Sequence, residues 1–396
     1  MGLSACKSSD AWPGALPRVA DDCGAARAGH GRGKGFAAGL ILILLWLAGP
    51  LWAETLRVAT YAAPLTRDGP GLLLRDLTEG DDPQVLAALA AVVDAAPDIL
   101  ILTQFDHDAD LAALRVFAGL VAERGVDLTH VYAARSNAGM ATGLDMDGDG
   151  TVGEARDAQG YGRFAGAGGL AVLSRWPIDA GAVRDLSGLL WRDLPGAVMP
   201  VVGGAPFPSP EAVAVQRLSS TGHWIVPVQA PGGVVDLMVW SATPPVFDGP
   251  EDRNGLRNRD ELRLWTAVLD GALGAPPGDH FVIAGNANLD PADGEGLREA
   301  MAAFLVDPRL TDPMPQSAGG AAAADPAQVG NPALDTADWA ETGPGNLRVS
   351  YVLPAVAWEV TGSGVQWPAP DEAMAVSAED LIAAGPHRLV WVDLRR

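Results

Sequence analysis

The stretch that most constrains the fold is residues 281–291, FVIAGNANLDP. Four apolar residues, from Phe281 to Ala284, meet a glycine and then Asn286, Asn288 and Asp290. Such a run predicts a buried strand that stops at a polar edge. In layered α/β proteins, chemistry sits where strands finish and loops begin. A carboxylate at position 286 would suggest a metal site; an amide does not.

The rest of the chain alternates between the two periods. Residues 56–62 (LRVATYA) predict a first strand, ended by Pro64. Asp82 then offers an N-cap with Pro83 at the first helical position. Val85, Leu86, Leu89, Val92 and Val93 follow at helical spacing and predict a helix over 83–96. Residues 98–104 (DILILTQ) predict a second strand ending at Gln104, and Leu111, Leu114, Phe117 and Val121 a helix near 111–124. Residues 134–168 read as loop. Residues 169–178 read as a strand, and 224–228 with 234–241 as a pair joined by a Pro-Gly-Gly turn. Asn258 with Glu261 has capping-box spacing, predicting a helix from 258 to about 273. Strand 281–285, helix 295–306, a loop over 314–330 and strands 348–354 and 388–394 complete the chain. The elements fall into two blocks, 55–180 and 220–396. Two sheets packed face to face with helices outside would bury every apolar face. One α/β domain over 54–396 is the expected organisation.

Residues 1–53 read as a signal peptide or membrane anchor. Arg27, Arg32 and Lys34 precede an uncharged run over 35–53, whose most apolar part is LILILLWL. Leu51 at −3 makes a poor cleavage site, and the run is near the lower limit for spanning a bilayer. Cleavage would give a secreted or periplasmic protein; retention would anchor it through residues 35–53. Both cysteines, Cys6 and Cys23, precede this run, so a cleaved product has no thiol chemistry. The formal charge of −22, with no lysine after Lys34, argues against nucleic-acid binding.

Three further features carry candidate chemistry. Asp145, Asp147 and Asp149 followed by Gly150 match positions 1, 3, 5 and 6 of a calcium loop, with Thr151 at position 7. Position 12 is Arg156, and Asp157 follows one residue late as a possible ligand. A structural calcium or an acidic solvated turn would each explain the pattern. The second feature is the polar run Asp252, Arg253, Asn254, Arg257, Asn258 and Asp260. Its arginines suit a small anionic or phosphorylated ligand, with Arg257 and Asn258 as candidate ligand-binding residues; loop hydrogen bonding is the alternative. Finally, His223, His107 and His130 have no partner at ligand-like spacing and read as structural.

The segments LRVATY, DILILTQFDHD, GLAVLSRWPI, LLWRDLPGA, RLSSTGHWIVPV, TPPVFDGPEDRNGLRNRDE, FVIAGNANLDP, NLRVSYVLP and PHRLVWVDL, in this order, resemble the endonuclease/exonuclease/phosphatase family. The likeness is to a secreted bacterial, phytase-like branch. It implies a four-layer αββα sandwich of two packed mixed β-sheets with outer helices. It also implies phosphomono- or phosphodiester hydrolysis with one or two divalent metals. The family's catalytic positions fall on Ala62, Gln104, Gly168, Ser241, Asn286, Ser350 and Pro386, none of which is the family residue. Asn288 and His387 are retained.

Phosphoryl transfer needs its oxygen charges neutralised, and Mg²⁺ wants charged oxygen ligands. Gln104 and Asn286 keep the shape of the acids without the charge. The expectation is therefore a degenerate, non-catalytic secreted protein that holds an anion near Asn288, Arg257 and His387, without catalytic Mg²⁺. The alternative is an active phosphoesterase whose metal ligands come from Asp106, Asp108, Asp290 or Asp335. A third reading is a calcium-stabilised structural protein.

Overall fold

The computed structural model describes residues 55–340, 342–369 and 376–396. The expected signal or anchor segment lies outside them. Among the described residues no helix is long and apolar enough to cross a membrane.

The chain begins with β1 (Leu56–Leu65), then α1 (Leu72–Glu79), α2 (Pro83–Ala95), β2 (Ile99–Phe105), α3 (Ala112–Glu123), β3 (His130–Tyr132) and β4 (Gly169–Ser174). The second half holds β5 (Arg184–Asp185), β6 (Gly222–Ala230), β7 (Gly233–Ser241), α4 (Arg253–Leu269), β8 (Phe281–Asn286), α5 (Arg298–Leu305), β9 (Ser350–Pro354), β10 (Glu359–Val365) and β11 (Val390–Arg395). Shorter pieces connect them.

Two mixed sheets result. One has the order β10-β11-β1-β2-β4-β3, with β1 and β2 parallel. The other has the order β9-β8-β7-β6-β5, with β7 and β8 parallel. The expected architecture is present: two packed sheets with helices outside. Side chains alternate between two cores, as the pleat requires. Val58, Ile99, Ile101, Leu170 and Val172 of the first sheet join Val226, Leu237 and Val239 of the second. Ala59, Tyr61, Leu100, Leu102, Ala171 and Leu173 face the other way and pack under α1–α3, against Leu77, Leu89, Val92, Leu114 and Phe117. Because both faces of β2 are buried, ILIL reads as a continuous apolar run rather than an alternation.

Several elements depart from the sequence expectation. Pro64 does not end the first strand: β1 runs to Leu65, and its pairing with β2 slips between Ala62 and Leu65. A proline has no N–H to give and is tolerated at such an irregularity. Helix α1 has no predicted counterpart; it is one short amphipathic segment bounded by left-handed Gly71 and Gly80. Strand β10 (EVTGSGV) was also unforeseen, because its two glycines mask the pattern. The capping box at Asn258 is not formed. Helix α4 begins at Arg253 behind Asp252, so Asn258 and Glu261 lie inside it, buried and bonded elsewhere. The N-cap at Asp82 holds, accepting from the Val85 N–H at 2.9 Å.

Candidate functional site

The parallel pairs β1/β2 and β7/β8 finish at the same end of the sandwich, where β4, β6 and β9 begin. In the second sheet Asn286 pairs with Ser241 on one side and Ser350 on the other. In the first sheet Ala62 pairs with Thr103, beside Gln104, and Phe105 with Gly169. A cavity of about 390 Å³ opens between the two edges, and Gln104, Gly168, Ser241 and Asn288 all line it.

The side chains at this edge are mostly neutral or already engaged. Asn286 is buried; its amide donates to Asn288 Oδ1 at 3.1 Å and its oxygen accepts the Asn288 N–H at 3.0 Å. Asn288 donates to the Ala242 carbonyl at 2.7 Å and sits at φ 48°, a left-handed conformation that asparagine tolerates. Gln104 has φ 69°, and its amide makes no hydrogen bond to a described residue. That backbone departs from the strand and aims the side chain into the cavity. Asp68 is the one carboxylate on the cavity wall, and it is paired with Arg163.

The nearby acids hold backbone. Asp106 accepts from the Thr66 hydroxyl and from the N–H groups of Arg67 and Gly168, at 2.7–2.8 Å. Burial nevertheless pushes its carboxyl up. Asp108 accepts from the Ala113 N–H at 2.8 Å, at the start of α3. Asp290 takes the N–H groups of Ala292, Asp293 and Arg348. Asp335 accepts from the Gln328 amide at 2.5 Å; burial, then the charges of Asp290 and Asp293, push it up to about 7. His387 is buried edge-on against Trp339, with no partner at Nδ1. Burial and then Arg388 bring it down to about 4, so it is neutral at physiological pH. The Ser350 hydroxyl is buried without a partner as well.

His223 is wholly buried. Its Nε2–H donates to the Glu261 carbonyl at 3.0 Å, and the Ser219 hydroxyl then donates to Nδ1 at 2.5 Å. Glu261 in turn accepts from Ser220 and the Thr243 N–H. These groups tie the start of β6 and the end of β7 to α4, and the His223 ring and Glu261 carboxylate are fully buried.

The aspartate loop lies to one side. Asp145, Asp147 and Asp149 each offer an oxygen, and the three lie within 4.8 Å of one another. Asp145 accepts from the N–H groups of Asp147, Gly148 and Gly150, which outweigh its burial and hold it below the usual carboxylate range. Burial and then the neighbouring aspartates push Asp147 up. Asp157 is not one of the three; it is engaged by the N–H groups of Met146, Gly153 and Glu154. Thr151 donates its N–H to Asp149 at 2.7 Å. Among the described residues this is the one group of three acids, histidines or cysteines so placed.

A second cavity, about 660 Å³, runs from this loop to the strand-end cleft, sharing Tyr161, Thr243 and Pro244 with it. Arg253, Asn254 and Arg257 of the polar run line it; Asn258 and Asp260 do not. Asn258 donates instead to the carbonyls of Thr243 and Ala287, both at 2.7 Å.

The sequence profile of the Endonuclease/Exonuclease/phosphatase family matches residues 73–377. The chain belongs to the endonuclease/exonuclease/phosphatase family. No curated protein matches it. Solved structures that resemble it include a family protein from Beutenbergia cavernae, at 20% identity over 86% of this chain and 72% of that one, with TM-score 0.49. Sphingomyelinase C from Streptomyces griseocarneus gives 15% identity over 86% and 99%, with TM-score 0.44. A family protein from Leptotrichia buccalis gives 13% over 86% and 100%, with TM-score 0.46.

In this family member Ala62, Gln104, Gly168, Ser241, Asn286, Ser350, Pro386, Asn288 and His387 all lie at or beside one end of the two sheets. Sequence reasoning did not single out Tyr161, Arg163 and the turn 66–68 as cavity wall. They sit in irregular segments with no period to read. Tyr161 and Phe247, two-thirds and three-quarters exposed, are aromatic residues in polar loops, a signal that was available.

Proposed function

We propose that this family member is a secreted, non-hydrolytic protein of the phytase-like branch that binds a small anionic ligand instead of turning it over. The observation that supports this most directly is the donor chemistry of the strand-end cleft. Gln104, Ser241 and Asn288 on its wall are neutral, as are Asn286 and Ser350 buried at the same strand ends, and the Asn286 amide is bonded to Asn288. The carboxylate on the cavity wall, Asp68, already faces a guanidinium. These residues do not fit a hard divalent cation, which takes carboxylate or phosphate oxygens. Of the acids a rearranged site would draw on, Asp106, Asp108 and Asp290 each accept backbone N–H groups, and Asp335 accepts the Gln328 amide. Moving any of them would strand those donors, at about 1–3 kcal/mol each. Neutral His387 lacks an acid beside it, so it has no orienting partner as a general base.

A structural calcium held by Asp145, Asp147, Asp149 and the Thr151 carbonyl completes the reading. Secretion rests on the apolar run before residue 54, and the acidic surface disfavours nucleic acid as a partner.

The test is hydrolysis of generic phosphomonoesters and phosphodiesters by purified protein with Mg²⁺, Mn²⁺ or Ca²⁺. No turnover above buffer is expected. Turnover that disappears with chelator would establish an active phosphoesterase instead. The double variant Gln104→Glu/Asn286→Asp restores two charges to the cleft and is expected to bind Mn²⁺ about tenfold tighter than the parent, read by electron paramagnetic resonance.

A further inference from the structure

We infer that the cavity of about 660 Å³ beside the strand-end cleft binds an organic anion with an apolar body, and that it does so only when a divalent cation occupies the aspartate loop. The inference rests on the calcium reading above and adds a ligand to it.

Arg257 carries the argument. It is 3% exposed and lines the cavity. Its Nε donates to the Leu218 carbonyl, and its Nη2 to the carbonyls of Gln159, Arg217 and Ser219. Its Nη1 makes no hydrogen bond to any described residue, and no carboxylate lies within ion-pair distance. Burial lowers its pKa to about 10, which still leaves it charged at neutral pH. The buried Glu261 carboxylate, one turn on in α4, balances part of this charge, but the Nη1 N–H groups have no acceptor, and an anion in the cavity would supply one. Arg253 stands beside it, also without an ion pair, and donates to the carbonyl of Met146, the residue between two of the aspartates.

The lining alone would repel an anion. The guanidiniums of Arg156, Arg253 and Arg257 face the carboxylates of Asp147, Asp149, Asp248 and Glu251, a balance of one negative charge. Asp145, the third carboxylate of the loop, adds a second negative charge, and a divalent cation held by the three brings the total to zero and removes the repulsion. The loop also leaves such a cation short of ligands. Ca²⁺ takes about six to eight oxygens, and the acid expected at position 12 is Arg156. Asp157, one residue on, is not among the three carboxylates that converge within 4.8 Å of one another. Since Asp147 and Asp149 line the cavity, an anion there can supply an oxygen to the cation while its other oxygens meet the arginines. Phe207, Tyr161 and Phe247 form the apolar part of the wall. A volume of this size suits a small organic molecule better than a bare inorganic ion.

The experiment is calorimetric titration of the full chain with phenyl phosphate, benzoate and inorganic phosphate, in about 1 mM Ca²⁺ or in chelator at equal ionic strength. Phenyl phosphate or benzoate is expected to bind in calcium and to weaken roughly tenfold or more without it, a coupling of the size found for linked sites. The two probes identify the preferred head group. Phe247→Ala, at an exposed position, is expected to weaken whichever organic anion binds by roughly threefold and to leave inorganic phosphate unchanged. Arg257→Gln should abolish binding; if it fails to fold, Arg156→Gln, an exposed change, should weaken it. Binding that ignores calcium, or the absence of binding by both organic anions in calcium, overturns the inference. In the second case a calcium-dependent rise in melting temperature would leave the calcium loop standing. No calcium effect on melting or binding overturns both. Hydrolysis of phenyl phosphate would refute the non-hydrolytic reading and leave the cavity site intact.

Discussion

Asp335→Asn is expected to stabilise the protein by about 2 kcal/mol at pH 8 and to change it little at pH 4. Asp335 is 2% exposed, and burial together with Asp290 and Asp293 raises its pKa to about 7. In the unfolded chain the value is about 3.9. Between those two values the native state keeps a proton that the unfolded state gives up. The stability from this group is therefore fully present below about pH 4 and is lost as pH rises towards 7. Three units would be worth about 4 kcal/mol, at 1.36 kcal/mol each. The asparagine loses part of this, because the Gln328 amide N–H now bonds a charged oxygen at 2.5 Å and would bond a neutral one. It gains something back, since the Gln328 carbonyl oxygen is buried without a partner and the new amide can donate to it. Urea unfolding of both proteins across pH 4–8 isolates the effect as a difference between two curves. Parallel curves would show that Asp335 is ionised and paired in the native state. A variant less stable at every pH would show the same.

The fold was legible because its signals are redundant. Each central strand is an apolar run, and the order of runs and amphipathic helices admits few layered arrangements. What escaped was local. Pro64 looked like a terminator because sequence does not reveal a bulge, which depends on the partner strand. Asn258 and Glu261 had the right spacing for a capping box, yet both lie one to two turns inside α4. Asn258 bonds two loop carbonyls there and Glu261 two loop N–H groups, so their polarity serves tertiary contacts rather than a helix end. At the strand ends, Gln104 and Asn286 were readable as polar residues finishing apolar runs, and Ser241 and Ser350 through the family resemblance. The cavity wall around Tyr161 and Phe247 was not, since irregular loops are placed by contacts such as Arg253 with Met146, between residues far apart in the chain. Asp157 shows the same limit: spacing made it a late calcium ligand, while its two oxygens hold three N–H groups.

Calcium is expected to raise the melting temperature by roughly 4 °C when present at about 100 times its dissociation constant, equivalent to about 2.7 kcal/mol in a domain of this size. The loop brings three carboxylates within 4.8 Å of one another. Asp145 is fixed by three backbone N–H groups, so its oxygens are positioned before a cation arrives. Asp147 is the strained member, raised by burial and by the charges of its neighbours. A cation removes that repulsion, and binding must displace any proton Asp147 holds. The calcium response should therefore shrink as pH falls towards the raised pKa of Asp147, the direction expected when protons and metal compete for one carboxylate. Two substitutions separate structure from binding. Asp145→Asn should destabilise the protein even without calcium, by about 1 kcal/mol, because a neutral oxygen is a weaker acceptor for those N–H groups. Asp149→Asn relieves repulsion on Asp147, so it should leave the calcium-free protein equal or slightly more stable while removing most of the calcium shift. Melting curves in chelator and in millimolar Ca²⁺ decide the matter. If the parent shows no shift, the aspartates form an acidic turn held by its own backbone. If Asp149→Asn keeps the full shift, the cation binds elsewhere, and the charge neutralisation assigned to the neighbouring cavity loses its basis.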